Sequence, residues 1–293
     1  MKYCLLFLTA FAVTESYCQD EDLLKGLVDS TPKKEKVYNA FKSSRVIMSH
    51  SMEMLRPGVL DFRILHRFGN VNQGLSQFFG LDEATIRMGL DYGINSDLTV
   101  GIGRSSYKKE VDGFVKYRVI QQTTGPREMP FSVVVIGGAT AVGAPWSDPS
   151  RKNYFSSRVG YYGQLIVGRK LNDNLTLQAA PTVLHRNLVE TDADKNDVYA
   201  AGFGGRLRLT KRISLNVDYY YVLNGDKNRG LHNPLSIGFD IETGGHVFQL
   251  HFTNAVGMNE RVFLTETTNS WGRGDIQFGF NISRAFQIGK KKR

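Results

Sequence analysis

A strict alternation of apolar and polar residues is the feature that most constrains this chain, and it recurs from about residue 58 almost to the C-terminus. It is clearest in "SIGFDIETGGHVFQLHFTNAV" at residues 236–256, where two alternating runs flank Gly244 and Gly245. A period of two is the repeat of a β-strand, and two glycines between such runs predict a tight hairpin. The hairpin register pairs apolar residues on one face, namely Ile237 with Phe252, Phe239 with Leu250 and Ile241 with Phe248.

Twelve segments are predicted to be strands, at residues 58–69, 84–94, 97–105, 113–122, 130–142, 154–169, 175–187, 198–209, 213–223, 234–243, 246–256 and 274–288. Most alternate cleanly, although 113–122 and 154–169 do so less regularly. Short turns alternate with longer loops between them, and the short ones lie at 95–97, 124–128, 172–174, 210–212 and 244–245. An even number of antiparallel strands with short turns at one end is typical of outer-membrane barrels. The sequence therefore predicts an all-β fold, a transmembrane antiparallel up-and-down β-barrel of about 12 strands.

Residues 43–54 alternate only loosely and are not counted as a barrel strand. A further strand would give an odd number, which bacterial single-chain barrels avoid. We therefore assign this piece to the periplasmic mouth or to the lumen.

The direction of the apolar face separates two folds. In a secreted β-sandwich the apolar face would be the core, whereas in a membrane barrel it contacts lipid and the polar face lines the interior. Arginine dominates the polar face, with aspartate and glutamate within reach, and this favours paired charges in a lumen over a solvated surface. The residues predicted to line the lumen are Asp61, Arg63, Arg67, Arg87, Asp91, Arg206, Arg208, Asp218, Asp240, Glu242, Gln249 and His251.

The N-terminus is typical of an exported protein. Lys2 precedes the apolar run "YCLLFLTAFAV", which is too short to span a bilayer. We therefore predict a signal peptide at residues 1–18, an N-terminal periplasmic or lumenal segment at 19–57, and an outer-membrane barrel at 58–293. Both cysteines, Cys4 and Cys18, lie in the predicted signal peptide, so the mature chain would have no thiol for a disulfide, a zinc site or a nucleophile.

Motifs for catalysis or cofactor binding are weak. No serine has a G-x-S-x-G context, and "GIGRS" and "GFGGR" lie inside predicted strands rather than in phosphate-binding loops. The alternating acids of "DADKND" at 192–197 lack the glycine and the distant glutamate of a calcium loop. His251 is diagonal to Asp240, but the sequence contains no H-x-x-x-H pair of the kind that binds a metal. The net charge of +9 is spread along the chain rather than clustered as in nucleic-acid binders. We therefore predict no enzyme activity, no cofactor, no metal and no nucleic-acid partner.

Several long runs after about residue 40 resemble a family of outer-membrane β-barrel proteins of Gram-negative bacteria. They include "GVLDFRILHRFG", "DVYAAGFGGRLRLTKRISLNVDYYYVL", "LSIGFDIETGGHVFQLHFTNA" and "TETTNSWGRGDIQFGFNISR". The family is classed as a domain of unknown function. The resemblance implies a signal peptide and a barrel, and it implies no substrate, reaction or site residue.

Two functions remain open at this point. The arginine-rich interior predicts a narrow channel or transporter for small polar solutes, with a preference for anions. The alternative is a closed barrel, plugged by its own charges or by its N-terminal segment, that serves a structural role or binds a partner. In the plugged barrel, Arg87 would pair with Asp91, and Arg206 or Arg208 with Asp218. The expected partners are outer-membrane lipid, a small polar solute and a periplasmic protein. The loop at 265–275, which contains Trp271, is expected to fold inward as a constriction or to form a contact surface.

Overall fold

The structure is a computed structural model that describes residues 33–146, 148–191, 194–225 and 229–289. The predicted signal peptide lies outside the described residues. Within them the chain is mostly β-sheet, with a short α-helix, α1, at Glu260–Thr265. The strands are β1 (Glu35–Lys36), β2 (Val59–Asn70), β3 (Ala84–Gly93), β4 (Leu98–Ser105), β5 (Val111–Ile120), β6 (Thr123–Thr124), β7 (Ser132–Ala141), β8 (Val159–Lys170), β9 (Leu175–Arg186), β10 (Asp197–Arg208), β11 (Ile213–Val222), β12 (Leu235–Thr243), β13 (His246–Thr253) and β14 (Gln277–Gln287).

Twelve of these strands, β2–β5 and β7–β14, form a closed antiparallel barrel in which each strand pairs with the next and β14 pairs with β2. This confirms the predicted all-β, twelve-strand barrel. The Gly-Gly hairpin has the expected register, with Ile237 opposite Phe252, Phe239 opposite Leu250 and Ile241 opposite Phe248. The remaining short strands, β1 and β6, pair with each other outside the barrel.

One strand begins later than the alternation predicts. The segment predicted from residue 154 enters the sheet only at Val159, because residues Phe155–Arg158 form a 3-10 turn. Arg158 donates from Nη1 to the carbonyls of Val142 and Ala144, which ties this turn to the preceding loop. The long loop between β7 and β8 therefore includes these residues.

The connections place short turns and the start of β2 at one end of the barrel, and long loops at the other. By the general habit of outer-membrane barrels, the first end is periplasmic and the second extracellular. Among the helices of the described residues, none is long and apolar enough to cross a membrane.

The two faces of the barrel wall differ sharply. Large apolar side chains stay exposed on the outer face, as Ile237, Phe239, Leu250 and Phe252 do on β12 and β13. An exposed apolar belt of this kind is the surface that a bilayer covers.

The barrel interior is filled by two parts of the chain that belong to no barrel strand. Residues 40–54, here called the lumenal hairpin, lie inside the barrel and lead directly to β2 from the periplasmic end. The helix α1 lies inside as part of the loop between β13 and β14, and all six of its residues are buried.

Part of this interior is an ordinary apolar core. The inward side chains Ile136, Ile166 and Leu184 of β7–β9 pack with Val46, Ile47 and Met48 of the hairpin and with Phe263 and Leu264 of α1. The apolar lining explains the weak alternation at 154–169, because both faces of β8 carry apolar side chains. Tyr162 and Ile166 are buried, whereas Tyr161 and Leu165 are exposed.

Candidate functional site

The lumenal hairpin is a tight turn between two arms. Arg45 and His50 form an antiparallel bridge, and the Ser51 amide donates to the Ser44 carbonyl at 3.0 Å. The tip, residues 46–49, is buried. In the described part of the chain, no backbone–backbone hydrogen bond joins residues 40–54 to a barrel strand. The sheet of the barrel is therefore complete without this hairpin.

Asp218 on β11 holds the tip of the hairpin. Its Oδ2 accepts backbone N–H groups from Ile47, Met48 and Ser49 at 3.2, 2.8 and 2.9 Å, and its Oδ1 accepts the Ser49 hydroxyl at 2.9 Å. Three successive N–H groups aimed at one carboxylate form an anion-binding nest. Asp218 occupies this nest without an ion-paired cation within 4 Å in the described residues, so the backbone of the hairpin stabilises its charge.

Other inward side chains bind the backbone of the hairpin from most sides of the barrel. Gln178 on β9 accepts the Met52 amide at 2.9 Å and donates to the His50 carbonyl at 2.8 Å. Four side chains elsewhere on the wall donate to backbone carbonyls of the hairpin. Lys116 donates to the carbonyls of Ser44 and Glu53, Arg206 to that of Ala40, Gln249 to that of Val46 and Asn281 to that of Ile47. Among the described residues, the hydrogen bonds between wall and hairpin are thus all made by side chains of the wall, and each of them can be exchanged for a hydrogen bond to water.

The hairpin and α1 meet inside the barrel through charged groups. The Glu260 carboxylate on α1 lies 3.6 Å from Arg45 Nη1 and 3.5 Å from His50 Nε2. The three side chains are at most 2% exposed. The His50 ring also contacts Phe114 edge-on, at 4.4 Å between centroids, and lies 3.5 Å from the Tyr162 hydroxyl. The two segments inside the barrel are therefore in direct electrostatic contact.

Arg87 bridges two strands of the wall. Its Nε and Nη2 donate to the two carboxylate oxygens of Asp112 at 2.8 and 2.5 Å. The expected pairing of Arg87 with Asp91 is wrong, because four residues along one strand separate side chains by about 13 Å. The pairing of Arg206 or Arg208 with Asp218 is also wrong, since Asp218 holds the hairpin tip. Asp91 instead pairs with Arg63, at 3.2 Å.

Ten of the twelve residues predicted to line the lumen are at most 4% exposed. The exceptions are Arg208 and Glu242, which are half-buried near the periplasmic turns, where Glu242 pairs with Lys42 of the hairpin. That these side chains contact a solute stays a prediction. The buried ten are Asp61, Arg63, Arg67, Arg87, Asp91, Arg206, Asp218, Asp240, Gln249 and His251.

The sequence analysis assigned residues 43–54 to the periplasmic mouth or the lumen, but it singled out none of the charged groups that meet inside the barrel. Arg45, His50 and Glu260 lie outside the barrel strands, where no periodic pattern marks a buried face. Lys116 and Asp112 do have a signal, because they lie four residues apart on β5, an even spacing that puts both on its inward face. Residues 265–275 were expected to fold inward as a constriction or to form a contact surface. The helix α1, which lies inside the barrel, shares only Thr265 with them.

Ion pairs join four extracellular loops above α1. Arg261 donates to both carboxylate oxygens of Glu110 and to Glu266, and Lys108 lies 2.8 Å from Glu266 and 3.2 Å from Glu190. Arg229 in turn forms ion pairs with Glu190 and Asp194. Burial raises the pKa of Glu266, but Arg261 and Lys108 outweigh it and hold that pKa below its ordinary value.

The weak metal-site motifs do not assemble into a site. Asp194 bonds to Thr191 and Arg229, and Asn196 donates to the Arg186 carbonyl, while Asp192 lies outside the described residues. No group of three histidine, aspartate or glutamate side chains that could hold a metal ion occurs in the described ranges. His251 lies against Gly238 and Gly279, and Asp240 accepts a hydrogen bond from Gln249.

Comparisons with known proteins agree with this geometry. Residues 41–286 match the model of a family described as "Membrane bound beta barrel domain (DUF5777)". No curated protein matches the chain. Among solved structures, the NanC porin is similar with a TM-score of 0.50 and 9% identity, over 78% of this chain and 98% of that one. The KdgM porin is similar with a TM-score of 0.46 and 8% identity, over 78% and 99%. At these identities the likeness shows the fold alone.

Proposed function

This chain belongs to the family of membrane-bound beta barrel domains and lies in the bacterial outer membrane, and on that premise we propose that it is a gated transport barrel. The described state is closed by the lumenal hairpin and by α1. The barrel passes small polar solutes when the hairpin leaves the lumen toward the periplasm.

The observation that carries this proposal is the independence of the barrel from the hairpin. The twelve strands close through β14 and β2, and the hairpin at residues 40–54 is held by side chains such as Asp218, Gln178 and Lys116. Its departure breaks no hydrogen bond of the sheet, and the polar groups on the wall can then bind water. A closed barrel with a removable segment is therefore a gate.

The charge pattern argues for small polar solutes without a strong preference for anions. Inward arginines alone would attract anions. Here Arg63, Arg87 and Arg261 are each paired with carboxylates, which cancels much of their field. We expect weak charge selectivity in the open barrel.

The chain enters the lumen from the periplasmic end, so a periplasmic protein is the partner best placed to withdraw the hairpin. Just before the hairpin, β1 pairs with β6, which lies in a short periplasmic turn. Because only two residues of each strand pair, the segment that leads into the hairpin is held weakly.

A permanently closed, structural barrel is the second candidate function. It is favoured by the apolar core inside the barrel, in which Ile47, Met48 and Phe263 are fully buried. Burying such side chains stabilises the closed state by about 2 kcal/mol each. Opening would have to offset this contribution.

Conductance in planar bilayers separates the two candidates. We would compare the full chain with an Asp218→Ala variant and with a variant in which residues 19–57 are deleted. The full chain is expected to be mostly closed. Asp218→Ala leaves three buried N–H groups without their acceptor and should open the barrel more often, while the deletion should give a stable conductance.

The matched control is Asp275→Ala, which removes a carboxylate from the extracellular turn, where Asp275 bonds to Asn72 and Arg273. It should conduct like the full chain. A heat-modifiability gel verifies that each barrel is folded. If the folded deletion variant and Asp218→Ala both fail to conduct, the gated barrel is wrong and the structural barrel takes its place.

A further inference from the structure

A cavity of about 410 Å³ lies at the periplasmic mouth, between the hairpin and the barrel wall. The hairpin and the residues before it contribute Tyr38, Asn39 and Ser43 to its lining, and the wall contributes Asp61 and Ser283. A ligand in this cavity would contact both the gate and the barrel. Its volume is within the range of small-molecule sites.

Asp61 supplies a buried acceptor in the lining of this cavity. The residue is 3% exposed, and its Oδ2 accepts from Arg63 Nη2 at 2.6 Å. Its Oδ1 has no hydrogen-bond partner in the described structure. A buried carboxylate oxygen without a partner costs free energy, so a hydrogen-bond donor placed there would be stabilised.

Charges of both signs surround the cavity in nearly equal number, and most of them are paired. Arg63 lies between Asp61 and Asp91, and its Nε is 3.2 Å from Asp91 Oδ2. Two further cations of the lining are also paired, Lys42 with Glu242 and Arg118 with Asp97. The lining also contains Glu53 and Arg56, which add one charge of each sign and so keep the balance. An added anion would meet these carboxylates and an added cation would meet the guanidinium groups. The free acceptor therefore suits an uncharged donor, such as a hydroxyl.

The rest of the lining suits the same chemistry. Ser283 offers a hydroxyl that can both donate and accept. The Ser43 hydroxyl, which accepts from Arg63 and Arg45, can still donate, and the Ser96 hydroxyl, which donates to Asp97, can still accept. The Tyr38 ring, which is 54% exposed, offers an apolar face against which the C–H groups of a sugar ring can pack.

We propose that this cavity is a binding site for a small, uncharged, polyhydroxylated solute of the sugar class. The proposal rests on the gated transport barrel, because the bound solute would be one that the open barrel passes. Since the site spans hairpin and wall, the solute binds where it can report its presence to the gate.

Isothermal titration calorimetry on the full-length closed barrel tests the site. The probes are D-glucose and maltose, compared with the anion D-glucuronate and the cation D-glucosamine, in a detergent without a sugar headgroup. The neutral sugars should bind at least about tenfold more tightly than the charged ones. Asp61→Ala should weaken glucose binding about tenfold or more, as expected for a lost hydrogen bond to a charged acceptor.

A second variant keeps the proposal testable if Asp61→Ala fails to fold. Ser283→Trp fills the cavity from the wall without removing the Asp61–Arg63 pair, and it should abolish glucose binding. Lys211→Trp adds the same side chain to an exposed periplasmic turn and should leave binding unchanged. Tighter binding of glucuronate, unaltered binding in Ser283→Trp, or no binding of any sugar would overturn the proposal. Binding is measured without conduction, so a barrel that binds glucose but never conducts refutes the gate and not the site.

Discussion

At the scale of single residues, glycines decide how far a charged side chain reaches across the lumen. A Cβ atom at Gly103 on β4 would lie 2.2 Å from Arg87 Nη2. The missing side chain lets Arg87 on β3 pass over β4 and reach Asp112 on β5. In the same way the Tyr220 ring covers Gly202, whose Cβ would lie 2.5 Å from that ring.

Gly103→Ala should therefore destabilise the barrel through the displaced Arg87. The guanidinium is clamped by both carboxylate oxygens of Asp112 and is fully buried, so it cannot move aside into solvent. We expect a loss of about 2 kcal/mol in the free energy of unfolding. Urea unfolding in lipid vesicles, followed by tryptophan fluorescence, measures this loss.

Gly113→Ala on the next strand is the matched control for Gly103→Ala. Its Cβ would meet the Gly101 carbonyl oxygen at 3.5 Å, an ordinary contact. This variant should unfold like the original chain. Equal destabilisation by the two substitutions would show that the Arg87 crossing is not the reason.

At the scale of elements, the hairpin and α1 reach the lumen from opposite ends and are joined by Glu260. Because Arg45 and His50 belong to one segment and Glu260 to the other, movement of either changes the electrostatic environment of its partner. We infer that the extracellular loop and the periplasmic gate are energetically coupled. A coupling of this kind is reciprocal between the two sites.

Glu260→Gln should loosen the hairpin tip. The substitution leaves the buried Arg45 cation without its carboxylate, and breaking a buried pair costs about 3 kcal/mol. Hydrogen exchange at the amides of residues 47–49, which donate to Asp218, should become faster by about tenfold or more. Mass spectrometry of the corresponding peptide measures this exchange.

Glu190→Gln is the control for Glu260→Gln. Its side chain is 63% exposed, and exposed ion pairs contribute at most about 1 kcal/mol. It should leave exchange at the tip unchanged. If Glu260→Gln also leaves exchange there unchanged, the two segments are independent.

At the scale of the whole molecule, ion pairs tie the extracellular loops into a cover over α1. Glu266 is central, since it accepts from Arg261 at 2.6 Å and from the Tyr107 hydroxyl at 3.0 Å. Its lowered pKa means that the charged form is stabilised in the folded loops. This contribution is fully present above the ordinary pKa of glutamate and is lost as pH falls through the lowered pKa.

Acid should therefore loosen the extracellular cover. As pH falls below about 4, protonation of Glu266 removes a contribution of order 1 kcal/mol, and the loops should become more sensitive to an acid-active protease. The measurement is the cleavage rate of the extracellular loops against pH at constant ionic strength. In Glu266→Gln the cover should be looser at neutral pH and change less with acid. Parallel pH profiles for the two proteins would contradict this assignment.

The barrel itself could be predicted from the sequence with good accuracy. Strand number, the register at Gly244 and Gly245, and the apolar outer face all follow from a period of two, because each residue of a wall strand faces either lipid or the interior. The irregular alternation at 154–169 was the sign of an inward face that is partly apolar, as Ile166 shows.

What fills the barrel was decided by tertiary structure. The sequence by itself determined the fold and the membrane, because those depend on a local repeat that every strand carries. It did not determine that Asp218 would hold residues 47–49, that Arg87 would cross a glycine to reach Asp112, or that Glu260 would meet Arg45 and His50. These contacts join residues that are distant in the chain and follow no period. They exist only once the closed barrel brings its opposite walls, the hairpin and α1 into one volume.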